Sequence, residues 1–166
     1  MADRARPVRV VFVCWGNICR SPMAERVARR AANQAGLSGV QFTSAATSRE
    51  EIGAGIDPRA AQVLRRHGYD ADGHTAHQVT ADEIESADLV VAMEDIHLAR
   101  MRRLVADADH LVLLTDFDPD APAGAGVPDP WYGDEDGFFD TLATVEAAMP
   151  GLLDRVRELQ GGPAPR

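Results

Sequence analysis

The stretch from residue 8 to residue 25 constrains the fold more than any other part of the chain. Five of its first six residues are apolar, which is typical of a strand buried on both faces of a parallel sheet. After Pro22 the pattern becomes helical: Ser21 is a favourable N-cap, and Glu25 lies near the positive end of the helix dipole. A short loop must therefore connect a buried strand to the start of a helix.

This loop has the composition of an anion-binding site that contains a nucleophile. Backbone N–H groups converge where a loop enters a helix, and Gly16 allows a ligand to approach the backbone. Arg20 offers a planar guanidinium that fits two phosphate oxygens. Cys14 ends the strand, where open α/β sheets bind their ligands, and the surrounding donors should favour its thiolate. A thiolate beside a bound phosphate predicts phosphoryl transfer through a phosphocysteine.

The spacing Cys14-x5-Arg20, followed by Ser-Pro, resembles the phosphate-binding loop of the low-molecular-weight protein tyrosine phosphatases, bacterial type. The longer string from Val13 to Glu25 is similar to that family almost letter for letter. The resemblance implies that Cys14 is the nucleophile and Arg20 the phosphate clamp. It also implies a phosphate- and substrate-binding set in the same loop: Trp15, Gly16, Asn17, Ile18, Cys19 and Ser21. The plainer interpretation of Cys14 is a small buried apolar residue.

A leaving phenolate needs a proton at neutral pH, and Asp129 is the expected donor. The string Asp129-Pro130-Trp131-Tyr132 resembles the family motif whose aspartate is the general acid and later the base. Trp131 and Tyr132 would flank a phosphotyrosine ring. We expect the other carboxylates nearby to be solvated, and their spacing matches no EF-hand.

The resemblance also implies a supporting network formed by Asn17, Ser21, Ser44 and His74. On its own, His74 would be interpreted as a surface histidine. The five histidines have no close ligand spacing, so we expect no metal and no cofactor. The nearby cysteines suggest a redox hypothesis, in which Cys19 forms a disulfide with oxidised Cys14 and protects it.

Several positions depart from the family pattern. Trp15 replaces a smaller residue, and Glu50 stands near a usual aromatic position, so we interpret Trp15 as the apolar wall of the site. Glu94 and His97 replace an aspartate and an asparagine, which leaves the salt bridges there open. Ile18 resembles the tyrosine-specific branch, since the arginine phosphatase branch has threonine at this position.

Composition and charge limit the function further. The chain has 166 residues, two cysteines and a net charge of −9, which argues against a general role on nucleic acid or a membrane surface. The first residues lack an apolar h-region, so we expect no cleaved signal peptide and a cytoplasmic location, with export without a signal left open. Expected partners are phosphotyrosine-containing proteins, with phosphate and other oxyanions as inhibitors.

Alternating strands and helices predict an α/β fold: a single three-layer α/β/α domain with the phosphate-binding loop between the first strand and the first helix. The resemblance implies four strands in a central parallel sheet. The domain is expected to span residues 1–160, followed by a flexible tail over 161–166. A loop over 115–134 is long enough to be functional, and Pro150 should kink or split the last helix.

Two other functions remain open. A sister family reduces arsenate on the same fold, but that chemistry needs further resolving cysteines, and none follows Cys19. A phosphate-binding or phosphocarrier module would form phosphocysteine without hydrolysing it. Such a module needs no acid, so the motif at Asp129 argues against it.

Overall fold

The computed structural model describes residues 6–161, and its centre is a single parallel sheet. The strands are β1 (Val8–Cys14), β2 (Val40–Ala46), β3 (Leu89–Ala92) and β4 (Leu111–Leu113). Their order across the sheet is β2-β1-β3-β4, and every pair is parallel. The expected four-stranded parallel sheet is confirmed.

Strand β1 is buried on both faces, as its apolar run predicts. Val10 and Phe12 belong to the larger hydrophobic core, while Val11 and Val13 belong to a second core on the opposite face. This alternation follows from the two-residue period of a strand. The sheet therefore has a separate apolar layer on each side, which gives the three-layer architecture.

Five helices cover the two faces of the sheet: α1 (Arg20–Gln34), α2 (Pro58–Arg66), α3 (Ala81–Ser86), α4 (Asp95–Leu104) and α5 (Glu135–Leu159). Buried side chains of α1, α2 and α5 form the larger core, and those of α3 and α4 form the smaller one. Thr80 and Glu83 form a capping box at the start of α3.

Two details of the helices correct the sequence-based predictions. Ser21 is not the N-cap of α1: Cys19 occupies that position, and the Ser21 hydroxyl lies beside Cys14 instead. Pro150 does not split the last helix, since α5 is one helix of 25 residues, and of the two predicted effects of this proline only the kink stays a prediction. Buried apolar side chains on both sides of Pro150, among them Met149 and Leu152, pack into the same core and stabilise one continuous helix.

The predicted long loop is less irregular than expected. It contains two short 3-10 turns, Leu114–Phe117 and Pro130–Tyr132. Between them Val127 is fully buried, and its N–H donates to the carbonyl of Met93 at 2.7 Å. The loop therefore returns to the carboxyl end of β3 before it reaches Asp129.

The topology places a crevice at the end of β1. The chain passes from β1 to β2 on one side and then to β3 on the other, which makes the carboxyl end of β1 a topological switch point. Within residues 6–161, no helix combines the length and the apolar character needed to cross a bilayer. The predicted domain limits stay a prediction, and residues 162–166 of the predicted tail lie outside the described residues.

Candidate active site

The loop after β1 wraps around the sulfur of Cys14. Asn17 has a φ of 61°, in the left-handed region that asparagine tolerates better than most residues. This conformation directs its backbone N–H at Cys14 Sγ, at 3.3 Å. Among residues 6–161, the backbone N–H groups of Gly16, Ile18 and Cys19 donate to no other backbone group. They remain free to bind an anion.

Cys14 lies at the base of a cavity of about 340 Å³. The thiol is only 2% exposed, and the Ser21 hydroxyl lies 3.0 Å from its sulfur. The cavity contains nine of the site residues predicted from the sequence: Cys14, Trp15, Gly16, Ile18, Cys19, Arg20, Asp129, Trp131 and Tyr132. The remaining four, Asn17, Ser21, Ser44 and His74, do not line the cavity.

A hydrogen-bond network connects Asn17, Ser21 and Ser44. The side-chain amide of Asn17 donates to Ser21 Oγ at 2.8 Å and to Ser44 Oγ at 3.0 Å. Ser44 in turn donates to Glu25 Oε1 at 2.6 Å, and Arg29 pairs with the same carboxylate. The network therefore runs from an ion pair between half-exposed Arg29 and buried Glu25 to the hydroxyl group that contacts the sulfur.

His74 and His77 fix the other polar atoms of Asn17. The ring Nε2 of His74 donates to the Asn17 carbonyl at 2.7 Å, and the backbone N–H of His77 donates to Asn17 Oδ1. Burial lowers the pKa of His74, so its ring is neutral around pH 7. Since the side-chain nitrogen and oxygen of Asn17 are both hydrogen-bonded, these contacts stabilise the left-handed backbone conformation of Asn17 in the loop.

Arg20 is almost fully buried and connects the loop to two other elements. Its Nη1 donates to Glu94 and, at 2.9 Å, to the carbonyl of Val127, while its Nη2 lies 3.4 Å from Asp129 Oδ2. Sequence reasoning left the role of Glu94 open. Its place directly after β3, at the same edge of the sheet as Cys14, is the signal that could have identified it.

Asp129 lines the same cavity as the loop that contains Cys14. Its Oδ1 accepts the backbone N–H of Trp131 at 3.0 Å, which caps the turn Pro130–Tyr132. Trp131 is 42% exposed and Tyr132 is 93% exposed, and both line the cavity. The arrangement brings a carboxylate and two aromatic rings to the entrance of the site that contains Cys14.

Trp15 and Glu50, two departures from the family pattern, contact each other. The indole Nε1 of Trp15 donates to Glu50 Oε2 at 2.9 Å, and the Arg100 guanidinium stacks on the indole 4.6 Å from its centroid. Glu51 also lines the cavity, packed against Gly16. Glu50 therefore orients an aromatic wall instead of supplying one.

Both cysteines are free and buried. Burial raises the pKa of the Cys19 thiol well above its usual range, and the nearby Asp57 carboxylate adds to the effect. Cys19 is therefore a poor competing nucleophile at neutral pH. Among residues 6–161, no group of three or more His, Cys, Asp or Glu side chains is arranged to hold a metal ion.

The chain is similar in sequence to known tyrosine phosphatases. Residues 9–161 match the family model described as low molecular weight phosphotyrosine protein phosphatase. The chain is 48% identical to a low molecular weight protein-tyrosine-phosphatase of Streptomyces coelicolor, over 94% of this chain and 98% of the relative. It is 44% identical to low molecular weight protein-tyrosine phosphatase A of Mycobacterium tuberculosis, over 92% and 93% of the two chains.

Solved structures agree with the sequence relatives. The structure of YfkJ from Bacillus subtilis superimposes with a TM-score of 0.87 at 30% identity, over 95% of this chain and 99% of that one. A protein tyrosine phosphatase from Entamoeba histolytica, solved with Hepes in its active site, gives a TM-score of 0.85 at 28% identity, over 92% of this chain and 99% of that one. The chain therefore belongs to the low molecular weight phosphotyrosine protein phosphatase family and is an enzyme of that kind.

Proposed function

We propose that this enzyme hydrolyses phosphotyrosine in proteins through a phosphocysteine intermediate. One observation carries the proposal: Cys14 and Asp129, far apart in the sequence, line one cavity together with Arg20, whose Nη2 lies 3.4 Å from Asp129 Oδ2. A nucleophile, a cationic clamp and a proton donor around one small cavity are the groups that this reaction requires.

In the first step, the Cys14 thiolate attacks the phosphorus atom. The S–P bond forms as the P–O bond to the tyrosine breaks, and protonated Asp129 gives its proton to the leaving phenolate oxygen. Arg20 and the free N–H groups of the loop bind the phosphoryl oxygens, on which the charge of the transition state resides.

In the second step, Asp129 acts as a base. It takes a proton from a water molecule, whose oxygen attacks the phosphorus atom of phosphocysteine as the S–P bond breaks. The Cys14 thiolate leaves, and the Ser21 hydroxyl at 3.0 Å can donate a hydrogen bond to it. Asn17, Ser44 and His74 contribute by fixing Ser21 and the loop.

The cavity walls favour an aryl phosphate as the substrate. Trp15, Trp131 and Tyr132 offer flat apolar surfaces around the anion-binding loop, which suit the ring of phosphotyrosine. The relatives are named as tyrosine phosphatases, and the Entamoeba protein holds a sulfonate buffer in its active site. We infer that phosphate and similar tetrahedral oxyanions compete with substrate at this loop.

We place the enzyme in the cytoplasm, because a nucleophilic thiol must stay reduced and the cytoplasm is a reducing compartment. The Cys14–Cys19 redox hypothesis belongs to the same proposal. Peroxide would convert the Cys14 thiolate to a sulfenic acid, and the Cys19 thiol would then condense with it, giving a disulfide and water.

Turnover of p-nitrophenyl phosphate tests the chemistry. Cys14→Ser should abolish turnover, and Asp129→Ala should slow it while retaining tight binding of phosphotyrosine proteins. Asp120→Ala is the matched control, because Asp120 is exposed on the same loop and does not line the cavity. Wild-type activity in Cys14→Ser would refute the proposal. Wild-type enzyme that accumulates phosphocysteine without releasing phosphate would indicate a phosphocarrier instead.

A further inference from the structure

Arg59 connects the segment that carries Asp129 to the rest of the site. It is the second residue of α2, and its Nη1 donates to the carbonyls of Trp131 at 3.1 Å and Gly133 at 3.0 Å. These two carbonyls belong to the turn that follows Asp129 directly. One side chain therefore holds the backbone of the turn from which the general acid projects.

The same guanidinium contacts two aromatic rings. Its central carbon lies 5.3 Å from the ring centroid of Trp131 and 4.7 Å from that of Phe138. Phe138 is fully buried in the first turns of α5. Because cation–π contacts are favourable, the two rings help to hold the guanidinium between the turn and α5.

Asp57 fixes the other edge of the Arg59 guanidinium. The Nε and Nη2 groups donate to its two carboxylate oxygens at 3.1 and 3.0 Å. Burial alone would raise the pKa of Asp57, but the hydrogen bonds from Arg59 outweigh this effect and lower it, so the carboxylate stays charged. The fork geometry of this pair leaves Arg59 little freedom to rotate.

Asp57 is also bonded to the phosphate-binding loop. Its backbone N–H donates to the carbonyl of Ile18 at 2.8 Å. A continuous chain of contacts thus runs from Ile18 through Asp57 and Arg59 to the backbone of Trp131 and Gly133. It connects the loop that holds the nucleophile to the turn that holds the acid.

We propose that Arg59 is a positioning residue for the general acid and sets the place of Asp129 over the phosphate-binding loop. This inference rests on the proposed function, in which Asp129 protonates the leaving group. Arg59 does not line the cavity, so it acts through the turn and not on the phosphate. An arginine with a purely structural role would only stabilise the fold. Its replacement would then not slow proton transfer to the leaving group more than it slows nucleophilic attack by Cys14.

Substrates with different leaving groups separate these two roles. Phenyl phosphate releases a basic phenolate that needs the proton, whereas p-nitrophenyl phosphate releases a weakly basic one that needs it much less. We compare kcat/KM for the two substrates, since it reports the steps up to phosphocysteine formation. In Arg59→Met, kcat/KM for phenyl phosphate should fall about 10- to 100-fold, the loss expected when a catalytic group is displaced by about 1 Å. For p-nitrophenyl phosphate the fall should be about threefold or less.

Arg66→Met is the matched control. Arg66 lies on the same helix and pairs with Glu135 of α5, but it makes no contact with the turn after Asp129. This variant should lose a surface ion pair and keep the wild-type ratio of the two kcat/KM values. Arg59→Lys retains the charge but cannot form the full fork, so its ratio should change in the same direction as that of Arg59→Met.

An equal fall for both substrates, or no fall for either, would overturn the role of Arg59. If Arg59→Met does not fold, as judged by circular dichroism and thermal unfolding, Arg59→Lys carries the test by the same criterion. Asp129→Ala separates this inference from the proposed function. If Asp129→Ala shows no dependence on the leaving group, the assignment of the acid fails and the Arg59 role fails with it. If only Asp129→Ala shows the dependence, the role of Arg59 alone fails.

Discussion

Replacing Ser21 by alanine should slow the release of phosphate from the phosphocysteine. The Ser21 hydroxyl is fully buried, lies 3.0 Å from Cys14 Sγ and accepts a hydrogen bond from the Asn17 amide. In the second step of the proposed reaction the sulfur leaves as a thiolate, and a hydroxyl donor at this distance would stabilise the developing charge. Alanine removes the donor and leaves one hydrogen bond of Asn17 unmade.

The size of the effect follows from the strength of that hydrogen bond. Hydrogen bonds to charged groups are worth about 1.5–3 kcal/mol, so hydrolysis of phosphocysteine should slow by about 12- to 150-fold. The effect on the first step should be smaller, because the same hydrogen bond also stabilises the attacking thiolate before reaction. The second step should therefore become more strongly rate-limiting in Ser21→Ala than in the wild type.

Stopped-flow mixing with p-nitrophenyl phosphate measures the two steps separately. Ser21→Ala should give a burst of p-nitrophenolate close to one equivalent, followed by a slow steady state. Ser86→Ala is the control, since Ser86 is an exposed serine at the end of α3 that bonds only to carbonyls of its own helix. A steady-state rate equal to that of the wild type, with the fold intact, would refute the reasoning.

Three further predictions concern stability and oxidation. Gly151→Ala should destabilise the fold by about 1–3 kcal/mol despite the higher helix propensity of alanine, because a Cβ at this position would lie 2.3 Å from the Phe117 carbonyl oxygen. Urea unfolding measures this loss. Gly137→Ala is the control, since a Cβ there would make only ordinary van der Waals contacts. Burial lowers the pKa of His97 from 6.5 to about 3, so protonation of this residue favours the unfolded chain. The free energy of unfolding should therefore fall by up to about 1.4 kcal/mol per pH unit as the pH drops through that range. His97→Asn, which keeps an acceptor near the Glu94 N–H, should reduce this slope in urea unfolding measured across the same pH range, and an unchanged slope would contradict the assignment. Cys19→Ala should make inactivation by peroxide irreversible by thiol, and unchanged recovery would exclude the protective disulfide.

The sequence alone was sufficient to predict those features that one short, continuous segment determines. The apolar run of β1, the loop after it and the start of α1 are adjacent, so the buried strand and the anion-binding loop could be predicted together. Cys14 and Arg20 are only six positions apart within that unit. Asp129 was identified by the proline and the two aromatic residues that follow it, although its distance from Cys14 in the fold could not be predicted.

Tertiary contacts decided the features that local rules missed. Serine is a favourable N-cap residue, so local rules place Ser21 at the start of α1. Its hydroxyl instead bonds to the buried Cys14 sulfur and the Asn17 amide. Glu94 could have been identified only from its place directly after β3, and Arg59 has ordinary sequence surroundings. Their partners, Arg20 and the carbonyls of Trp131 and Gly133, come from distant segments, so periodicity and spacing do not identify these partners.

The position of Asp129 raises a physical problem that the structure answers locally. A carboxylate on a long irregular loop would sample many positions, and a proton donor loses effectiveness when its geometry is loose. Here the backbone is held on both sides of Asp129: Val127 bonds to Met93 and to Arg20 before it, and Arg59 bonds to the two carbonyls after it. Since Arg20 also lines the cavity that contains Cys14, one of these anchors is itself part of the phosphate site. Asp129, the proposed general acid, is thus positioned relative to Arg20 by contacts of the residues next to it in the chain.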